Sequence, residues 1–178
     1  MSEPLKRNNH FSAGVLTSEK FQTDQEYFLE KLRRHNRALH GFGVVYGLKT
    51  KRQGTQIVVE PGLALDCGGN EIVVAQVVKT ELPAEPTESS SVYLCIKYAE
   101  RYAAKLGGVG SDRSGNESSL IEETFELVIL FQNPHRNHRR QKSRWTACNR
   151  PHELALARLQ HKAGGWRMDR RYHPPVVK

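Results

Sequence analysis

Four side chains in the C-terminal third of this 178-residue chain carry atoms that bind transition metals. They follow the spacing H-x2-H-x9-C-x3-H and are His135, His138, Cys148 and His152. Zinc prefers imidazole nitrogen and thiolate sulfur, and such a set can hold together a loop that lacks its own core. Standard zinc motifs use paired cysteines, however, and histidines in an arginine-rich loop often form only polar surface. The sequence therefore predicts no cofactor, with zinc at these four residues as the alternative.

A basic run with one aromatic residue overlaps this segment: Arg136, Arg139, Arg140, Lys142, Arg144 and Trp145. Such a run can be a solvated loop, can contact an acidic protein surface with Trp145 as an anchor, or can bind RNA or single-stranded DNA by phosphate pairing and base stacking. Of the two binding interpretations we favour the protein neighbour, because the predicted strands show no row of exposed aromatic residues. We expect these six residues to form a protein interface, and nucleic-acid binding is the alternative.

The sequence holds no GxSxG, P-loop, GxGxxG or HExxH motif. Asp66 and Glu71 flank a glycine turn, Cys67–Asn70, where a hairpin could bring their carboxylates together. The favoured interpretation is that Asp66 stabilises its own turn. We therefore predict that the chain is not an enzyme.

A helix is predicted before the glycine turn. Phe21, Phe28, Leu32 and Leu39 fall on one stripe at about 100° per residue, which is typical of an amphipathic helix. Thr17-Ser18 offers an N-cap, residues 23–26 offer a second start, and Gly41 should end the helix. We expect the stripe to pack against Val44, Leu48, Ile57 or Val59.

After Gly41 the apolar residues alternate, which predicts strands. Breaks at Gln53-Gly54 and at Cys67–Asn70 indicate two successive hairpins, and alternation resumes in residues 92–98. Residues 125–131 are apolar on both faces, which is typical of a central strand. A strand or helix is predicted for residues 153–159, and the Pro174-Pro175 tail should be extended.

The charge is concentrated at one end of the chain. From Gln132 onward there are twelve Lys and Arg residues and two acids, a balance of +10, so a total of +8 leaves −2 for the rest. The three cysteines are far apart, the first residues lack an apolar run, and no stretch is long enough to span a membrane. These features predict synthesis in a reducing cytoplasm without a secretion signal or membrane span.

Three phrases in residues 11–78 resemble a known family. They are GVLTSEKFQ (14–22) leading into QEY (25–27), RHNRALHGFGVVYGL (34–48), and VVEPGLALD (58–66) with GNEIVV (69–74). This part of the chain is similar to small baseplate-associated proteins of phage-tail-like extracellular contractile injection systems. The resemblance implies a baseplate or tail-adaptor subunit without an active site. It is expected to attach a peripheral module, such as a fibre or anchor, and to assemble in several copies with other subunits into a phage tail-like particle.

Together these patterns predict an α+β, mainly β fold, with an N-terminal amphipathic helix packed on an antiparallel β-sandwich or flattened barrel of six to eight strands. We expect an extended N-terminal arm (1–16), a helix plus β-rich core domain (17–131) with a mobile loop (104–119), and a basic C-terminal segment (132–178). That last segment should either complete the domain or dock on a neighbour.

Overall fold

The computed structural model describes residues 5–10, 14–84, 90–104, 120–136, 138, 148 and 152–177. The predicted mobile loop lies outside these residues, apart from Ala104 at its start. Part of the predicted N-terminal arm is described, and it contacts the helix. The Asn8 backbone N–H donates to Asp24 Oδ1 at 3.1 Å, and His10 Nε2 lies 2.8 Å from Asp24 Oδ2.

The helix forms where the sequence predicts it, as α1 (Ser18–His35) followed by a π-helical turn (Asn36–His40). Thr17 is the N-cap, and its hydroxyl oxygen accepts a hydrogen bond from the Lys20 backbone N–H at 3.4 Å. Gly41 ends the helical segment at φ 76°, as predicted. The second start offered by residues 23–26 is not used, because Thr23 lies inside α1 and its hydroxyl donates to the Glu19 carbonyl.

The expected burial of the helix stripe is wrong. Its four side chains are exposed by 56% at Phe21, 63% at Phe28, 49% at Leu32 and 54% at Leu39. The physical reason is that α1 binds the sheets through polar groups at its C-terminal end, where Arg33 hydrogen-bonds a turn between two strands. We call these four residues, three on α1 and Leu39 on the π-helical turn, the α1 apolar face.

Ten strands follow in the described residues, more than the six to eight predicted. They are β1 (Gly43–Gly47), β2 (Thr50–Gln53), β3 (Gln56–Val59), β4 (Gly62–Leu65), β5 (Glu71–Val74), β6 (Val78–Glu81), β7 (Ser91–Ala104), β8 (Leu120–Leu130), β9 (Leu154–Lys162) and β10 (Gly165–Met168). They form antiparallel sheets in the orders β1-β4-β5, β2-β3-β6 and β10-β9-β7-β8. The β2–β3 and β4–β5 pairs are the two predicted hairpins.

One apolar core joins the three sheets. Its fully buried side chains include Ile57 and Val59 of β3, Ile72 of β5, Leu94 of β7 and Leu159 of β9. The predicted fold class is therefore confirmed: the chain is α+β and mainly β, with one N-terminal helix against antiparallel sheets.

The prediction of a central strand at residues 125–131 is wrong. In the described residues β8 ends its sheet, with β7 on one side, and none of its side chains is fully buried. The inner position beside β7 belongs to β9, whose residues Leu154–Ala157 are buried on both faces. An apolar run at a sheet edge and a central strand have the same composition, so only pairing distinguishes them.

The C-terminal tail is extended, as predicted, and it pairs with β1. The Val44 N–H donates to the Pro175 carbonyl at 2.8 Å, and the Val177 N–H donates to the Val44 carbonyl at 3.0 Å. This places Val176 beside Val44 as a parallel bridge. Residues 154–177 thus contribute two strands and an edge pairing to the same sheets as the body.

Candidate functional site

The turn between β4 and β5 is held by its own polar side chains. The Asp66 carboxylate accepts hydrogen bonds from the Asn70 backbone N–H and the Asn70 side-chain amide, both at 2.8 Å. Asp66 is 1% exposed, so these donors replace the water that a carboxylate would otherwise need. The interpretation that Asp66 stabilises its own turn is confirmed, whereas Glu71 is exposed at the start of β5.

The end of α1 and the π-helical turn that follows it bind the same β4–β5 turn. Arg33 Nε donates to Asn70 Oδ1 at 2.6 Å, and the buried Asn36 side chain donates to the Gly69 carbonyl at 3.0 Å. Arg37 donates to the Gly68 carbonyl at 2.5 Å. The helix is therefore fixed on the sheets by side-chain donors and the carbonyl groups of a glycine turn.

Gly69 is the point of closest approach, and its replacement tests this packing. We expect Gly69→Ala to lower the free energy of unfolding by roughly 3 kcal/mol. Its φ is 87°, and an added Cβ would lie 2.3 Å from the Arg33 carbonyl oxygen. Gly54→Ala is the control, because its φ is 62° but nothing lies within 4 Å, so only about 1 kcal/mol should be lost. Urea denaturation measures both, and equal losses would contradict the close approach.

The same turn also contributes Cys67 to a cluster of metal-binding side chains. The donor atoms of Cys67, His138, Cys148 and His152 all lie within 4.8 Å of one another. His138 Nε2 lies 3.3 Å from Cys67 Sγ and 3.0 Å from His152 Nε2, and His152 Nε2 lies 3.0 Å from Cys148 Sγ. Cys67 is 2% exposed, and the other three are partly buried.

The structure brings together three of the four residues of the predicted metal set, His138, Cys148 and His152. The fourth residue of the cluster is Cys67 and not His135. His135 lies beside the cluster, with its ring centroid 5.3 Å from that of His138. Its Nε2 instead accepts a hydrogen bond from the Ala155 backbone N–H at 3.1 Å. Sequence spacing missed Cys67 because it lies 71 residues from His138. The one sequence feature that could have indicated Cys67 as a ligand is its place in a tight glycine turn, where a side chain can contact segments distant in sequence.

Burial keeps several of these donors neutral. It raises the pKa of the Cys67 thiol, and the adjacent Cys148 and Asp66 raise it further. It lowers the pKa of His138, with His152 adding to the effect, and lowers the pKa of His135 to about 4. A buried thiol with a raised pKa is a poor nucleophile. The arrangement therefore suits metal coordination or a hydrogen-bonded core rather than thiolate catalysis.

Most of the basic run predicted to form a protein interface lies outside the described residues. Arg136 lies in an exposed turn after β8. The other five members, Arg139, Arg140, Lys142, Arg144 and Trp145, lie outside the described residues. Their role as a protein interface stays a prediction.

The α1 apolar face is the second candidate site. It places four apolar side chains, each about half exposed, along one stripe of α1 and the π-helical turn, and an exposed apolar stripe of this kind is typical of a protein or membrane contact. Neither α1 nor any other helical segment that the structure describes has the length and apolarity that crossing a membrane requires.

No family model matches this chain, and no curated protein matches its sequence. Several solved structures do share its fold. A chain of the type VI secretion system TssK-TssF-TssG baseplate subcomplex, solved by cryo-electron microscopy, aligns with TM-score 0.56 and 16% identity over 97% of this chain and 62% of its own length. A crystal structure of TssK aligns with TM-score 0.57 and 14% identity over 97% of this chain and 42% of its own.

A third match is a chain of the baseplate complex from the type VI secretion system, with TM-score 0.50 and 16% identity over 97% of this chain and 60% of that one. The present chain thus spans about three fifths of the two baseplate chains and about two fifths of the TssK chain. At these identities the likeness shows a common fold.

Proposed function

We propose that this chain is a structural, non-catalytic subunit of the baseplate of a contractile injection system, where it attaches a peripheral module such as a fibre or anchor. The observation that carries the proposal is the fold likeness to chains of type VI secretion baseplates over 97% of this chain. The sequence phrases in residues 11–78 support it independently, since they resemble baseplate-associated proteins of another contractile system.

The α1 apolar face supports a role in assembly. Full burial of a Phe or Leu side chain contributes about 1.5–3 kcal/mol, so covering this face would strongly favour binding. Arg33, Asn36 and Arg37 anchor the helix end on the β4–β5 turn, so the face is presented without prior rearrangement. We assign as its occupant another subunit of the baseplate.

Two charges placed on this face should abolish incorporation. We expect the double variant Phe28→Asp, Leu32→Asp to bind its neighbour at least roughly 100-fold more weakly, because central apolar contacts dominate interface energies. Phe28 is 63% and Leu32 49% exposed in the free chain, so its own stability should change far less than its binding. Quantitative mass spectrometry of purified particles measures the copies of this chain per particle.

The control adds two aspartates to α1 at the exposed Gln22 and Lys31, which lie about 100° and about 80° around the helix from the face. The Gln22→Asp, Lys31→Asp variant should enter particles at the wild-type ratio. Normal incorporation of the Phe28→Asp, Leu32→Asp variant would exclude the face as the docking site. A wild-type chain that dimerises in sedimentation, and a variant that does not, would show that a second copy is the occupant instead.

A further inference from the structure

We propose that Cys67, His138, Cys148 and His152 bind one zinc ion, and that this ion is a structural link between the β4–β5 turn and the connection from β8 to β9. The inference does not depend on the proposed function. The four donors come from distant parts of the chain and converge within 4.8 Å. Surface histidines and cysteines that merely interact with solvent have no reason to meet in this way.

The spacing of the donors resembles a tetrahedral site. With Zn–N near 2.0–2.1 Å and Zn–S near 2.3 Å, ideal tetrahedral edges are about 3.3 Å between nitrogens and about 3.5 Å between nitrogen and sulfur. Three of the six separations, 3.3, 3.0 and 3.0 Å, lie within about half an ångström of these values, and all six are within 4.8 Å. Small side-chain rotations would complete the geometry.

Hydrogen bonding within the cluster does not account for the position of His152. Its Nδ1 lies 3.2 Å from the Glu153 carbonyl oxygen, which can only accept, so Nδ1 carries the proton. A ring with its proton on Nδ1 has one lone pair, on Nε2, yet His138 Nε2 and Cys148 Sγ both approach that nitrogen at 3.0 Å. A single lone pair cannot serve two donors well, whereas one cation between these atoms would bind all of them.

The same Glu153 contact is typical of metal-binding histidines. A ligating imidazole usually donates its other N–H to a carbonyl or carboxylate, which fixes the tautomer and aims the free nitrogen at the metal. Two sulfurs and two nitrogens in a tetrahedron favour zinc over magnesium or calcium, which prefer oxygen ligands. Four protein ligands leave no open position, so the site is structural rather than catalytic.

The location explains what the ion would stabilise. Cys67 lies in the β4–β5 turn, and the other three ligands lie between Leu130, the end of β8, and Leu154, the start of β9. A metal there would join His138, Cys148 and His152 to the body of the fold through Cys67. The ion would thereby hold in place the residues that lead into β9, the inner strand of its sheet.

Metal content and cobalt substitution test the proposal. Chain purified under reducing conditions should contain one zinc per molecule by mass spectrometry. Replacement by Co²⁺ should give tetrahedral visible bands and a thiolate charge-transfer band, which read out the ligands directly in the wild-type chain. Cys67→Ala should weaken Co²⁺ binding by more than the about 10–100-fold that loss of an outer-shell partner costs, and should reduce the charge-transfer band.

Two controls keep the test specific. Cys95→Ala removes a buried cysteine outside the cluster, and His135→Gln alters the adjacent histidine, so both should retain one cobalt and an unchanged spectrum. A wild-type chain that shows no tetrahedral cobalt spectrum would overturn the proposal. The proposal would also be overturned if His135→Gln lost cobalt while Cys67→Ala retained it. The ligands would then be His135, His138, Cys148 and His152, as the sequence spacing predicts.

Discussion

Removal of the metal with a chelator is expected to lower the free energy of unfolding of the wild-type chain by about 4 kcal/mol. That figure corresponds to free zinc at about a thousand times its dissociation constant, because a ligand that binds only the folded state stabilises it by mass action. The structural reason is that the ion would join two parts of the chain. One is the β4–β5 turn, which holds Cys67 and is hydrogen-bonded to α1, and the other is the segment of His138, Cys148 and His152 that precedes β9. The measurement is urea denaturation with and without chelator.

The Cys67→Ala, Cys148→Ala variant supplies the control, because without its thiolates it should unfold at the same urea concentration in both conditions. Hydrogen exchange gives the location of the effect. Loss of metal should reduce protection first at the β4–β5 turn and around His152, whereas the β2–β3 hairpin should change little. An identical unfolding midpoint for wild type with and without chelator would contradict a stabilising ion.

Trp166→Ala is expected to cost about 4 kcal/mol of folding free energy. Trp166 lies in β10, is 4% exposed and belongs to the common core. Its indole N–H also donates to the Pro83 carbonyl at 3.0 Å, which ties β10 to the connection between β6 and β7. Truncation would therefore leave a large cavity and an unpaired carbonyl group.

Trp166→Phe separates these two contributions. It keeps most of the apolar volume but removes the donor, so we expect a loss of about 1–2 kcal/mol. Thermal and urea unfolding of both variants give the comparison. If Trp166→Ala unfolds like wild type, the segment 154–177 does not share the core, and the basic C-terminal third would be an appendage that awaits a partner.

The β4–β5 turn connects both proposals. Its Gly68, Gly69 and Asn70 bind the helix that carries the apolar face, and its Cys67 faces the metal ligands. Because the helix that carries the docking face and the metal site both contact this one turn, variants of either site should be checked for effects on the other. The controls Gln22→Asp, Lys31→Asp and Cys95→Ala give the baseline for that comparison.

Patterns local in sequence predicted local structure well. The 3.6-residue period with Thr17 before it and Gly41 after it predicted α1 and its end, and two-residue alternation with glycine breaks predicted both hairpins. These predictions hold because helix caps, turns and strand alternation are set by residues within a few positions of one another. Asp66 belongs with them, since its partner Asn70 is four residues away.

The errors have a common physical origin. The pattern at α1 is amphipathic whether its apolar face packs on the chain's own core or on another subunit, so the exposure of Phe28 and Leu32 could not be read from it. Likewise the composition of β8 does not reveal whether one strand or two will pair with it.

The sequence by itself determined the helix, the hairpins, the extended tail and a mainly β fold, because those depend on short-range hydrogen bonding and side-chain periodicity. Only the tertiary structure decided that Cys67, not His135, joins His138, Cys148 and His152, and that β9 lies inside its sheet while α1 turns its apolar residues outward. Those features depend on contacts between segments tens of residues apart, where spacing along the chain carries no information about distance in space.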